Sequence, residues 1–227
     1  MKQINSMLAG CFAIAASSLP AHAELVTQGV GILDTTLNII VTQDANLLGT
    51  MEGTTTTSYN TVVATIIAAN KGTIADSPDY FDGLSKSYTL TAADFQPGGQ
   101  VDYYGAIAFV KYLNSIHYGN STHWALPAIT SDDKLGYNQT GNAFGELFYT
   151  ELGGVAGGAM PNGPFINIQE TQKFVATYWF GDEYALNANY AWVFETTFGY
   201  QLYTQKVFPT YNYVWPIRQG PSLYTAK

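Results

Sequence analysis

The sequence has little sulfur and little charge. It contains one cysteine, Cys11, and only 11% of its residues are charged. Without a second cysteine, the chain can form neither an internal disulfide nor a thiolate-rich metal site. Acidic residues outnumber basic ones by 17 to 9, which gives a net charge of −8. This balance argues against nucleic acid, anionic membrane surfaces and polyanionic glycans as partners.

Long apolar runs are also missing, apart from a short one near the start. Residues 7–16 are apolar except for Cys11, they follow Lys2, and a small-x-small pattern ends at Ala23. This arrangement predicts a secretory signal peptide over residues 1–23, cleaved before Glu24. A membrane anchor would need roughly 18 apolar residues without interruption, so no membrane span is expected.

Cys11 offers an alternative, because the sequence from Leu8 to Cys11 resembles a lipoprotein cleavage box. The apolar run before Cys11 is very short, whereas a conventional cleavage site follows at Ala23. We therefore expect cleavage after Ala23 rather than lipidation. The exported chain would then have no cysteine, and its eight basic against 17 acidic residues would give a net charge of −9.

Turn residues and apolar periodicity indicate that residues 24–227 form a single domain. Asp34 begins a turn between two apolar runs, Asp102 is a candidate helix N-cap, and Gly119 is a candidate helix C-cap. The Thr-rich segment 49–58 is expected to be a loop. The spacing predicts a hairpin over 30–42, a strand at 87–91, and helices over 59–70, 103–117 and 142–152.

The C-terminal stretch, residues 178–220, is rich in aromatic residues at strand spacing. Tyr190, Trp192 and Phe194 alternate with two small apolar residues, so this strand should be covered on both faces and lie centrally in a sheet. A turn leads from it to a second strand, 200–207. A last strand over 213–217 should run into Arg218, the sole arginine.

Histidine and serine offer little for catalysis. His117 and His123 could bind zinc only with carboxylates added, and we expect them to be exposed or capping residues. Ser121 with His123 could be part of a triad, but no G-x-S-x-G nucleophile elbow is present. We therefore expect no enzymatic activity.

Two acidic segments could provide oxygen ligands. Asp76, Asp79 and Asp82 lie in one loop, and their hard oxygens would suit weak binding of extracellular calcium, although the spacing is not that of an EF-hand. A solvated acidic loop is the simpler expectation. No cofactor is expected, with weak calcium binding as the alternative.

Asp182 and Glu183 follow an aromatic strand and could bind calcium or sugar hydroxyls. For Glu183 we favour a structural role, because an acid in an aromatic core needs a partner. The predicted partner is Arg218, whose planar guanidinium suits fixed pairing with a carboxylate.

Exposed tyrosine faces stack well on sugars. Most of the 17 tyrosines fall at strand spacing and should be core. Tyr184, Tyr200, Tyr203 and Tyr211 are the residues expected to be partly exposed. Together with Asp182 and Glu183, the candidate binding residues are Tyr184, Tyr203 and Tyr211.

The order of several motifs resembles the Lcl C-terminal-like domain family, a bacterial exported family of unknown function named for a collagen-like adhesin. The family pattern contains Trp-Arg-Leu-Pro, Tyr-Trp-Ser-Ser-Thr-Glu, Ala-Trp and a Val-Arg-Pro-Val-Arg-like end. The counterparts here are Trp124–Pro127, Tyr178–Glu183, Ala191-Trp192 and Val214–Arg218. Ala125 replaces the arginine of the first element, so any function that depends on that arginine is in doubt.

The resemblance implies an α+β fold of the C-type-lectin-like class, with small twisted antiparallel sheets, two or three packed helices and neighbouring termini. It also implies structural roles for Trp124, Trp179, Trp192, Trp215 and Arg218. The expected function is a secreted, non-enzymatic binding or adhesion module for glycans or other cell-surface ligands. The alternatives are a structural matrix or envelope protein and, with least support, a hydrolase or oxidase. The sequence does not indicate an oligomeric state.

Overall fold

A computed structural model describes residues 24–75, 87–130, 134–169, 175–207 and 212–221. Four features of the sequence lie outside these residues: the signal peptide with Cys11, the acidic loop from Asp76 to Asp82, Tyr211, and the last six residues. The described chain mixes helices with small, mainly antiparallel sheets, an α+β arrangement. Among the described residues no helix has the length and apolarity that crossing a bilayer requires.

The first sheet joins the two ends of the described chain. It contains β1 (Leu25–Gln28), β2 (Gly31–Asp34), β3 (Ile39–Thr42) and β12 (Ile217–Gln219), all antiparallel in that order. The predicted hairpin is confirmed as β2 and β3. The Asp34 carboxylate closes its turn by accepting the N–H groups of Thr36 and Leu37, each at 2.9 Å.

The predicted helix over 59–70 is confirmed, but it begins earlier than expected, and the preceding Thr-rich segment, which was predicted to be a loop, is also largely helical. Helix α1 (Leu47–Glu52) begins at Asn46, whose side chain accepts the Gly49 N–H, and α2 (Thr56–Ala69) begins at Thr55, whose hydroxyl accepts the Ser58 N–H. Threonine is a weak helix former but a good N-cap. Burial of Val63 and Ile66 on the inner face of α2 offsets its low propensity.

The middle of the chain forms two short ladders and a largely buried helix. One ladder pairs β4 (Thr73–Ala75) with β5 (Ser87–Thr89), and the other pairs β6 (Phe95–Gln96) with β7 (Gln100–Val101). Helix α3 (Tyr103–Ser115) begins as predicted at Asp102, whose carboxylate accepts the Gly105 N–H at 2.8 Å.

The end of α3 differs from the prediction. The helix stops at Ser115, so Ile116 is 45% exposed rather than packed inward. His117 and Gly119 follow with positive φ angles, and Gly119 lies in a short 3₁₀ turn instead of capping α3. A left-handed residue directly after the last turn ends a helix before its apolar pattern ends.

The predicted helix over 142–152 is present with a change of pitch. Asn142 caps α4 (Ala143–Gly145), and the chain continues directly as a π-helical segment, Glu146–Glu151. Phe144, Leu147 and Phe148 point inward as predicted, whereas Leu152 is half-buried.

The second sheet carries the aromatic strands. Its order is β10 (Tyr200–Gln205), β9 (Tyr190–Glu195), β8 (Thr177–Glu183) and β11 (Asn212–Tyr213), and only the β8–β11 pair is parallel. The central position of β9 is therefore confirmed. Trp179 and Val193 pack on one face with α3, and Trp192 and Phe194 pack on the other with Phe144.

The predicted last strand is two strands in different sheets. β11 ends at Tyr213 and pairs with β8, whereas β12 begins at Ile217 and pairs with β3. Between them Pro216 lacks a backbone N–H and cannot continue a ladder. The Trp215 indole bridges the change of sheet by donating to the Thr42 carbonyl at 2.8 Å.

Candidate functional site

The candidate site lies at the end of the second sheet where β8 turns into β9. A loop of residues 184–189 makes this turn, closed by the Tyr184 N–H donating to the Tyr190 carbonyl and the Tyr190 N–H donating to the Asn187 carbonyl. Leu186 at its tip is 83% exposed. It is the most exposed large apolar side chain among the residues that the structure describes.

Four aromatic side chains cluster behind this loop. The rings of Tyr184 and Tyr203 stack with centroids 3.9 Å apart and planes 19° apart. Tyr190 meets Tyr203 edge-on at 5.4 Å, and Trp192 meets Tyr184 edge-on at 5.5 Å. Tyr203 of β10 lies opposite Trp192 of β9, so Tyr190, two residues before Trp192, is its diagonal neighbour on the same face of the sheet. The set Tyr184, Tyr190, Trp192 and Tyr203 is called the tyrosine platform below.

The platform is only partly covered. Trp192 is buried, whereas Tyr184, Tyr190 and Tyr203 are all half-buried. Their mutual stacking fixes the rings with little remaining rotamer freedom, so a ligand that stacks on the exposed parts has little ordering cost to meet. The structure thus brings together two of the predicted binding residues, Tyr184 and Tyr203, and adds Tyr190. Tyr200 lies elsewhere, edge-on to Tyr137 at 4.8 Å.

Asp182 supports the site from within the protein. A bulge between Trp179 and Glu183 interrupts the pairing of β8 with β9. At this bulge the Asp182 carboxylate accepts the Ile129 N–H at 2.9 Å, and the neighbouring Gly181 N–H donates to the Pro127 carbonyl at 2.8 Å. Asp182 therefore holds the 127–130 segment against β8.

Glu183 pairs with Lys206, not with Arg218. Lys206 is completely buried, and its ammonium binds the Glu183 carboxylate and lies 5.5 Å from the centre of the Tyr103 ring. Burial first, and the nearby Glu183 carboxylate second, raise the pKa of Tyr103. Its phenol therefore stays protonated and donates to the Gly181 carbonyl at 2.7 Å. The ion pair of Lys206 with Glu183 therefore anchors the end of β10 to the end of β8.

The predicted Glu183–Arg218 pair is wrong because of the change of sheet at Pro216. Arg218 lies on β12, opposite Ile40 of β3, and Glu183 lies on the other sheet. The guanidinium of Arg218 stacks over the Trp124 ring at 5.4 Å. Arg218 therefore has a structural contact, but with an aromatic ring instead of an acid.

The four tryptophans are all buried. Trp124, Trp179 and Trp215 each donate their indole N–H to a backbone carbonyl, those of Tyr118, Val101 and Thr42, at 2.8–3.0 Å. Such bonds are what a buried indole requires. Trp124, Trp179 and Trp215 therefore fix the segments around the two sheets and are not available for stacking with a ligand.

The histidine candidates do not come together with ligands. His117 and His123 are both exposed, and the Ser121 hydroxyl accepts the backbone N–H of His123 at 3.2 Å. Within the described ranges, no group of three or more His, Cys, Asp and Glu side chains is placed to hold a metal ion.

Comparison of the chain with family models, curated proteins and solved structures gave no match in any of the three.

Several acids are buried away from the platform, and among them only Asp102 was predicted, as a helix N-cap. Asp94 and Asp102 are almost fully buried, and Tyr88 donates its phenol to Asp94 at 2.7 Å. Burial, reinforced by the neighbouring Asp94 charge, raises the pKa of Asp102. Burial also raises the pKa of Glu52 and of Glu195 to about 7. Nothing in the local pattern indicates that these side chains are buried.

Lys206 and Tyr190 were also missed. Lys206 follows Gln205 at the end of a predicted strand, where a lysine is normally exposed. A signal was available, because it is the one basic residue between Lys173 and Arg218 in an aromatic stretch that also contains Glu183. The alternation of Tyr190 with Ala191 predicts a core position, whereas Tyr190 is half-buried because it is the first residue of β9.

Proposed function

We propose that the protein is an exported binding or adhesion module that attaches to glycans through the tyrosine platform. The observation that carries the proposal is the stacked, half-buried pair of Tyr184 and Tyr203, with Tyr190 on its edge, beside a loop whose Leu186 is 83% exposed. Rigid aromatic faces with an exposed part provide contact area at low entropic cost.

The charge distribution supports a neutral glycan as the ligand class. The chain carries 17 acidic residues against nine basic ones. Beside the platform, Lys206 is buried and paired with Glu183, so it does not present a positive charge to solvent. Negatively charged polymers would therefore be repelled. Sugar rings present a C–H face to an aromatic ring and need no opposite charge.

The C-type-lectin-like fold is part of this proposal. It is supported by the α+β architecture, by the small antiparallel sheets, and by the pairing that places the first and last described strands, β1 and β12, in one sheet. The resemblance to the Lcl C-terminal-like family supports the same fold. Since this fold serves many functions, the binding activity rests on the platform and not on the fold.

Export is the third part of the proposal, and the sequence of residues 1–23 supports it. N-terminal sequencing of the protein secreted by its host tests it directly. A start at Glu24 is expected. A start at a lipid-modified Cys11 would show that the protein is instead a lipoprotein.

A glycan array with the purified protein, run with and without calcium, tests the binding activity. We expect binding to neutral glycans that Tyr184→Ala or Tyr203→Ala lowers about tenfold, which corresponds to about 1.4 kcal/mol. Tyr184→Phe keeps the ring and should retain most of the binding. Tyr137→Ala, at an exposed tyrosine outside the platform, is the control and should leave binding unchanged.

Two results would overturn the proposal. Binding that survives both alanine variants would exclude the platform as the attachment surface. No binding to any class of glycan, with or without calcium, would favour a structural role in a matrix or envelope.

A further inference from the structure

A second candidate site lies at the junction of α1 and α2, remote in sequence from the tyrosine platform. A cleft of about 210 Å³ opens there between the α1–α2 junction, residues 53–56, and the turn that joins β6 to β7. Glu52, Tyr59, Asn60 and Pro97 are among the residues that line it. Drug-sized ligands occupy pockets of roughly 300–1,000 Å³, so this cleft suits a single small ring.

Glu52 is the distinctive residue of the cleft. It is the last residue of α1 and its relative exposure is 0%. One carboxylate oxygen, Oε2, accepts the backbone N–H groups of Gly98 at 2.9 Å and Gly99 at 2.8 Å. The other oxygen, Oε1, is buried and has no hydrogen-bond partner. A buried acceptor without a partner is costly and rare in folded proteins.

The two glycine N–H groups fix the direction of the carboxylate. Gly99 has a φ of +84°, and a Cβ there would lie 2.0 Å from Asn46 Oδ1, so only glycine fits this turn. Asn46 also donates from its side-chain amide to the Gly98 carbonyl at 3.0 Å, which ties the turn to the start of α1. The cleft is therefore built from both ends of α1, and Glu52 is held in place without Oε1 taking part.

The lining indicates the chemistry of a ligand. It combines one carboxylate with the hydroxyls of Thr54, Thr55 and Thr56 and the carboxamide of Asn60, and it includes no lysine or arginine. Anions are disfavoured beside Glu52. A sugar hydroxyl can donate to a carboxylate and accept from a hydroxyl or amide at the same time. Tyr59, held by its own bond to the Phe95 carbonyl at 3.0 Å, gives the cleft an aromatic wall.

We infer that this cleft binds one monosaccharide unit of a neutral or amino-bearing glycan, with a hydroxyl or amino group donating to Glu52 Oε1. The inference rests on the proposed glycan-binding function, and it adds a second, polar subsite to the aromatic one. The platform would supply stacking area, and the cleft would distinguish sugars by their hydroxyl and amino groups.

Titration of the ¹⁵N-labelled purified protein with single sugars tests the inference. The probes are the methyl glycosides of glucose, galactose and mannose, together with glucosamine and N-acetylglucosamine. We expect at least one of them to cause saturable shifts of the amide signals of Gly53, Thr54, Gly98 and Gly99. Glu52→Gln should weaken this binding at least about tenfold, because it removes one acceptor oxygen. Glu146→Gln, at an acid outside the cleft, is the matched control and should leave binding unchanged.

Asn60→Ala provides a second variant, on an exposed residue, in case Glu52→Gln fails to fold. It should also weaken the cleft shifts. No saturable shift at these amides with any probe would overturn the inference, as would shifts that persist unchanged in both variants.

The two sites can fail separately. Tyr203→Ala should leave the cleft shifts unchanged. If glycan binding on the array depends on Tyr184 and Tyr203 but no sugar shifts the amide signals of the cleft, the proposed function stands and the cleft inference is wrong. The opposite result would be saturable shifts of the cleft amides together with array binding that Tyr184→Ala and Tyr203→Ala leave unchanged. That result would support sugar binding in the cleft and overturn the platform as the attachment surface.

Discussion

Lys206→Met removes the buried ammonium while keeping an unbranched side chain of similar length. The side chains of Lys206 and Glu183 are only 1% and 11% exposed. Without Lys206, the Glu183 carboxylate loses the ammonium that offsets its burial. Breaking a buried pair in this way costs roughly 3–5 kcal/mol, and the slight exposure of Glu183 places the expected loss near the lower end, about 3 kcal/mol.

The same argument predicts at least an equal loss of stability when Glu183 is changed instead. Glu183→Gln leaves an ammonium that is almost completely enclosed beside the Tyr103 ring, so it should cost at least as much as Lys206→Met. Changing both residues to apolar ones should restore part of the stability, because a buried pair is often no better than well-packed apolar side chains.

Urea unfolding followed by tryptophan fluorescence measures these losses, and the double-mutant cycle gives the coupling energy. A loss of about 3 kcal/mol corresponds to a melting temperature lower by roughly 6–12 °C in a domain of this size. Lys134→Met, at an exposed lysine, is the control and should cost almost nothing. A coupling energy near zero, or equal effects of Lys206→Met and Lys134→Met, would refute the buried pair.

Three further predictions concern stability. Arg218→Met should cost only about 0.5–1 kcal/mol, the value of a partly exposed cation–π contact with Trp124; coupling to Glu183 in a mutant cycle would contradict the assignment. Because burial raises the pKa of Glu52 and Glu195 from 4.5 to about 7, the folded state holds more protons than the unfolded state in this window. Unfolding free energy should therefore fall as pH rises from 4.5 to 7, by about 1–2 kcal/mol per group after allowance for screening, and each Gln variant should flatten the curve. Trp192→Ala should cost roughly 3–5 kcal/mol, and an unchanged melting temperature would place Trp192 outside the core.

Local hydrogen bonding explains which elements could be predicted from the sequence. Asp102 and Asn142 cap helices within three residues of themselves, and Asp34 closes its own turn. These contacts need no distant partner, so the residue types indicate them directly. The alternation around Trp192 likewise identifies a strand covered on both faces, since the pleat alone sends neighbouring side chains to opposite sides.

The misplaced elements depend on contacts that local pattern does not contain. The helix predicted over 59–70 is confirmed, but α1 and the first turn of α2 lie in the Thr-rich segment that was predicted to be a loop. These turns are helical although threonine has a low helix propensity, because Leu47, Leu48 and the inner face of α2 are buried in the core. The aromatic run around Trp215 has strand spacing throughout, but Pro216 divides it between two sheets. Which sheet each part joins depends on where β3 and β8 lie, and these strands are far away in sequence.

The candidate sites show the same division. The sequence by itself determined the high content of aromatic residues, the net negative charge and the residue types that could bind a sugar, because these depend on composition and spacing. Only the tertiary structure decided that Tyr184 stacks on Tyr203, that Glu183 meets Lys206, and that Glu52 lies under a turn 46 residues further along. Stacking, ion pairing and burial of a carboxylate act over a few ångströms in space. The sequence specifies such distances only through the complete packing of the two sheets and their helices.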